Sequence, residues 1–115
     1  MKDKNLESRG RIMHIREAIG KIELFVRDVG KDDFMNNQLV SSAVLFQFSV
    51  IGEAIAHIEE DILRKFQYPW HKVRSFRNLI SHAYFHIKLD AVWHLIESDL
   101  PGLKQVIETI LEQEF

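Results

Sequence analysis

Apolar residues recur every three or four positions along almost the whole chain, and that period dictates helices. Ile12, Ile15, Ile19, Ile22, Phe25 and Val29 step along one face, predicting a helix over residues 6 to 29. Gly30 ends it, and Lys31-Asp32-Asp33 reads as a polar turn. A second helix is predicted from about Asn37 to Phe66, with Leu39, Ala43, Phe46, Val50, Ala54, Ile58 and Ile62 as its buried face. At 1.5 Å per residue it would run about 45 Å and span the domain. Gly52 inside it lowers helix propensity and signals close backbone approach or a kink. Tyr68-Pro69 breaks the pattern, because proline disfavours helix at the residue before it. A third, shorter helix starts near Trp70 and ends around His82 or Ala83. Leu89, Val92, Trp93 and Ile96 open a fourth, which Pro101 interrupts. Ser98 or Asp99 caps the restart with Pro101 in its first turn, and Leu103, Val106, Ile107, Ile110 and Leu111 continue the core face. No repeat, low-complexity tract or linker divides the chain. The expectation is one all-α domain over residues 1–115, an antiparallel four-helix bundle.

At 115 residues such a domain buries roughly two-thirds of its unfolded surface. The longest apolar runs fall short of a membrane span, and Met1-Lys2-Asp3-Lys4-Asn5 has no signal-peptide character. No membrane partner is expected. The absence of cysteine excludes disulfides and thiol catalysis and fits a reducing cytoplasm.

The net charge of −2 does not advertise a polyanion partner, but its distribution does. Between Ile62 and Leu89 there is no Asp or Glu, while Arg64, Lys65, Lys72, Arg74, Arg77 and Lys88 are all basic. His71, His82 and His86 share the window, and acidic residues flank it on both sides. A basic stripe of this kind suits a phosphate backbone; a solvated face with chance clustering is the plainer alternative.

Inside that stripe lies Arg77-Asn78-Leu79-Ile80-Ser81-His82-Ala83-Tyr84. It sets a permanent cation, an amide, an imidazole and a phenol within eight residues. Arginine matches phosphate oxygens with a planar fork, and histidine gives or takes a proton near neutrality. On a helix Asn78 and His82 share a face, whereas Arg77 is offset by about 140° and must reach round. RNA carries its own nucleophile, the 2′-hydroxyl, so cleavage needs only positioning, proton transfer and charge stabilisation. His82 suits the general base or acid, Arg77 the phosphate clamp, and Asn78 an orienting amide.

The same stretch resembles the RNase motif of the HEPN superfamily, in its HepT-like toxin branch. Ile51-Gly52-Glu53-Ala54, Pro69-Trp70, Val92-Trp93 and Asp99-Leu100-Pro101 match that branch in order and spacing, over about residues 10 to 111. Ala83 and His86 depart from it, standing where a glycine and other small residues are more usual. The resemblance implies a HEPN-like bundle and a metal-independent endoribonuclease, acting as the toxin of a type VII-like toxin–antitoxin pair. It implies a homodimer that brings two motifs into one cleft, and a cognate nucleotidyltransferase antitoxin that adenylylates Tyr84. The RNA would be a transfer or messenger RNA. The alternative is a non-catalytic subunit of a nucleotidyltransferase that binds nucleotide or partner.

Glu53 matches the family's Gly-Glu and is a candidate to orient Arg77 or Arg74; a plain exposed glutamate is the competing reading. Lys72 and Arg74 are candidate RNA contacts. His82 and His86 have i, i+4 spacing, but there is no His-Glu-x-x-His and no cysteine, so neither a metal nor a cofactor is expected. His14, His57 and His94 have no evident partner. Trp70 and Trp93 read as packing anchors, with base stacking the alternative role for Trp70.

Overall fold

The computed structural model describes the backbone of residues 2–79 and 88–115, with side chains from residue 5 onward in those ranges. Every regular element among the described residues is helical: α1 Lys2–Phe25, α2 Lys31–Asn36, α3 Gln38–Ile55, α4 Glu60–Leu63 and α5 Trp70–Arg74. A 3₁₀ turn, Ser75–Asn78, continues α5. Then come α6 Leu89–His94, a π turn Leu95–Asp99 and α7 Leu100–Glu114. The expectation of an all-α bundle holds.

α1 buries the stripe its period announces: Ile12, Ile15, Ile19 and Ile22 are almost wholly enclosed. Its C-terminus differs from the expectation. The helix stops at Phe25, and Asp28, not Gly30, takes the left-handed conformation with φ 61°. Asp tolerates that region better than most residues. Gly30 is the N-cap of α2, a short helix formed where a polar turn is expected, with Asp32 and Asp33 suited to its first turn.

The long second helix is replaced by α3 and α4. Asn37 starts α3, its Oδ1 accepting a hydrogen bond from the Val40 N–H at 3.1 Å. α3 ends at Ile55, and the chain turns before α4. The buried Ser8 hydroxyl on α1 accepts the Glu59 N–H at 3.1 Å, so a donor freed by the break finds a partner across the core. α4 is closed by Trp70, whose Nε1–H is shared between the Leu63 and Phe66 carbonyls, each at 3.1 Å. Trp70 is therefore a buried anchor and not a stacking platform, and Trp93 is buried too.

The face of α3 that meets the core is Val44, Phe48, Ile51 and Ile55. The expected stripe divides: Ala54, Ile58 and Ile62 are buried as expected, whereas Leu39 is 81% exposed and Phe46 56% exposed. α3 has two apolar faces, and its mean hydropathy of 1.4 over 18 residues matches that of a minimal membrane span. Half of it is nonetheless packed inside the molecule, as the core helix of a bundle is.

At Pro101 the last helix does not stop but widens. Proline has no N–H for the carbonyl four residues back, and the π turn immediately before α7 absorbs that loss. Asp99 stands at the N-cap of α7, with no side-chain capping bond. Its Oδ2 instead lies 2.8 Å from the Lys72 ammonium, off the angle of a good hydrogen bond.

Candidate active site

The site is built where the 3₁₀ turn crosses α3. Phe76 inserts against Phe48 with ring centroids 5.1 Å apart and nearly perpendicular planes. Both rings are buried, which makes this contact the anchor of the motif segment, worth about 1.5–3 kcal/mol per side chain. One turn further along α3, Gly52 lies directly under the Arg77 backbone. A Cβ at Gly52 would stand 2.3 Å from the Arg77 amide nitrogen. The close approach expected at Gly52 is thus real, and it is the motif that approaches.

With the backbone held there, Arg77 and Asn78 both project outward on a ridge between two clefts. The larger is an open cleft of about 580 Å³, to which Arg11 and His14 from α1 and Ser49 and Glu53 from α3 also contribute. The smaller, about 370 Å³, lies on the side of His71, Arg74 and Ser75. Arg77 and Asn78, neighbours in the 3₁₀ turn, line both clefts together.

Glu53 is a partner of Arg77, with Oε2 3.8 Å from Nη1, and its other oxygen lies 3.1 Å from His57 Nε2. His57 therefore has the partner that its sequence context does not reveal. Arg74 pairs with Glu60 and not with Glu53. Lys72 is engaged by Asp99, Lys65 by Glu114 and Arg64 by Asp61. The basic stripe is thus laced to the acidic flanks by folding. Most of these pairs are exposed, so each costs little to open when a polyanion competes. Among the described residues no group of three or more His, Asp or Glu is placed to hold a metal ion.

His82 and Tyr84, with the end of the expected third helix, Ala83 and His86, lie outside the described residues. Arg77 and Asn78 are the described half of the motif. Sequence reasoning overlooks Arg11 and His14 at this cleft. Their spacing puts both on one face of α1, but only the packing of α1 against α3 brings that face to the motif.

The ordered motifs and the geometry meet in one comparison: the family described as "Ribonuclease HepT-like" matches residues 15–110. The chain belongs to the HepT-like ribonuclease family. Among curated relatives, "Probable ribonuclease HepT" of Thermococcus cleftensis is 33% identical, covering 84% of this chain and 88% of that one. A Methanocaldococcus jannaschii protein named as a candidate RNase is 31% identical, over 84% of this chain and 89% of its own. A longer protein of that organism, named for a gamma-glutamylcyclotransferase together with a candidate RNase, is 32% identical over 87% of this chain. The chain spans 46% of that longer relative. No solved structure matches the chain at comparable stringency.

Proposed function

We propose that this HepT-like chain is a metal-independent endoribonuclease, the toxin of a two-component toxin–antitoxin pair acting in the cytoplasm. The observation that carries the reading is the seating of Arg77 and Asn78 on the rim of an open cleft, made possible by glycine at position 52. A side chain there would lift the motif from α3, so the fold gives up helix propensity to hold it. Arg77 grips the scissile phosphate and offsets the charge that grows on it. His82 takes the proton of the 2′-hydroxyl, the 2′-oxygen attacks phosphorus, and the 5′-oxygen leaves and is protonated. The products are a 2′,3′-cyclic phosphate and a 5′-hydroxyl. Glu53 acts through Arg77, holding the guanidinium towards the cleft until a phosphate draws it away.

The working unit is a homodimer. Leu39, Ala43, Phe46 and Val50 form an apolar stripe at helical spacing; Leu39 and Phe46 are exposed, and Val50 is partly buried against the core's edge. Val50 also lines the Arg77 cleft, so a second copy seated on this stripe would adjoin the site and supply a second motif. Adenylylation of Tyr84 by a nucleotidyltransferase would add phosphate charge beside the arginine and turn the enzyme off.

The test is expression of wild type and His82→Ala from a tightly repressed promoter, following growth and total RNA. Growth arrest with fragments ending in cyclic phosphate, absent from His82→Ala, is the expected result. Intact RNA with soluble, unmodified wild-type protein would overturn it in favour of a non-catalytic binding subunit.

A further inference from the structure

The cleft beside Arg77 is wider than one phosphate clamp requires. Its volume of about 580 Å³ falls within the range of roughly 300–1,000 Å³ typical of ligand sites. Its far wall is α1, which contributes Arg11 and His14. The two are one helical turn apart and share a face. Arg11 is half-buried and His14 exposed. The cations of the motif region are held by carboxylates: Arg74 by Glu60, Lys72 by Asp99, and Arg77 loosely by Glu53. Arg11 has no acidic side chain within 4.0 Å among the described residues.

A half-buried guanidinium that lines a cleft and, among the described residues, has no carboxylate within 4.0 Å is poised for an external anion. Among the described residues that line this cleft the one acid, Glu53, is already shared between Arg77 and His57. Resting on the reading of this cleft as an RNA site, we propose that Arg11 and His14 form a second phosphate subsite. It holds a phosphodiester neighbouring the one at Arg77. The chain running between them would cross the cleft between α1 and α3, and Ser49 would lie along its path. Arg11 supplies a fixed charge with a planar fork, and His14 donates a ring N–H to the same phosphate. The inference makes the enzyme sensitive to substrate length, because a substrate with one phosphodiester reaches only Arg77.

The probe is a 2′-O-methyl RNA oligonucleotide, which lacks the nucleophile and reports binding alone. Its affinity for the full chain is measured by fluorescence anisotropy across a series of salt concentrations. Loss of one phosphate contact lowers the salt slope for a single strand by about 0.7. Arg11→Gln is expected to show that fall with a several-fold weaker affinity, Arg11→Lys to restore the slope, and His14→Gln to weaken binding less. Arg27→Gln, a cation outside the cleft, should match wild type, as should all variants on a dinucleoside monophosphate. Far-ultraviolet circular dichroism of each variant separates lost binding from lost folding. A wild type that cuts RNA while Arg11→Gln keeps the full slope overturns the subsite alone. A wild type that cuts nothing yet shows the Arg11-dependent slope overturns the nuclease reading and sustains the subsite. A wild type that neither cuts nor binds overturns both.

Discussion

Gly52 sets two physical effects against each other. In an exposed helix interior, replacing glycine by alanine stabilises by about 0.5–1 kcal/mol. At Gly52 the added carbon would meet the Arg77 backbone at 2.3 Å, and backbone cannot swing aside as a flexible side chain can. Overpacking of that kind costs about 1–3 kcal/mol, so the clash outweighs the propensity gain. Gly52→Ala is expected to lower Tm by several degrees and to reduce RNA cleavage more than the loss of folded protein explains. Gly20, also in a helix, has nothing within 4 Å of a built Cβ. Gly20→Ala should therefore raise Tm slightly, and thermal melts of the two variants side by side decide the matter. Equal small rises in both would mean that the motif is not seated on α3 as described.

At the scale of elements, the sequence is legible where a helix has one apolar face. α1 and α7 bury what their period announces, and the Pro101 restart falls where proline chemistry puts it. α3 is apolar on two sides, and periodicity alone cannot choose between Leu39-Ala43-Phe46-Val50 and Val44-Phe48-Ile51-Ile55. Nor does any proline or glycine mark the break after Ile55, where the Glu59 N–H is taken up by Ser8, 51 residues away in sequence. The candidate site divides in the same manner. Gly52, Glu53 and Arg77 belong to one matched pattern, whereas Arg11 and His14 are brought in by tertiary packing alone. The junction of the α4–α5 connection with α7 carries its own prediction. Tyr68 donates to the Asp99 carbonyl at 3.4 Å, and burial first, then the Asp99 charge, holds its phenol above the ordinary range. In the unfolded chain a tyrosine ionises near pH 10, before the folded phenol does. The contribution is therefore fully present below about pH 10 and is lost as pH rises through the raised folded value. Tyr68→Phe should lose less stability than wild type over that alkaline window, as urea midpoints at about pH 9 and pH 11 would reveal. Parallel losses would mean that the hydroxyl is not shifted by folding.

The whole molecule leaves one face of its central helix unspent. Leu39 and Phe46, seven residues apart, lie on the same side of α3 and are mostly exposed, with Ala43 and Val50 completing the stripe. A bundle that needed only its own core would have no reason to carry this second stripe. Four side chains are the centre of an interface and not all of it, since a stable one covers about 800 Å² per partner. Phe46→Glu places a charge at that centre, on a side chain that is 56% exposed and outside the buried core. Its monomer fold should survive, because surface changes of this kind usually cost within about 0.5 kcal/mol. Dimerisation adds stability by mass action, so the Tm of wild type should rise with protein concentration and that of Phe46→Glu should not. Sedimentation equilibrium should give twice the chain mass for wild type and one chain mass for the variant. If the second motif is needed to handle the second proton, cleavage falls with the dimer, by something like the 10²–10⁴-fold of a lost acid–base group. A Phe46→Glu protein that is monomeric yet fully active would place all of the chemistry within one chain. A wild type that sediments as a monomer at every concentration would leave the stripe to some other partner, and the composite cleft would have to be abandoned.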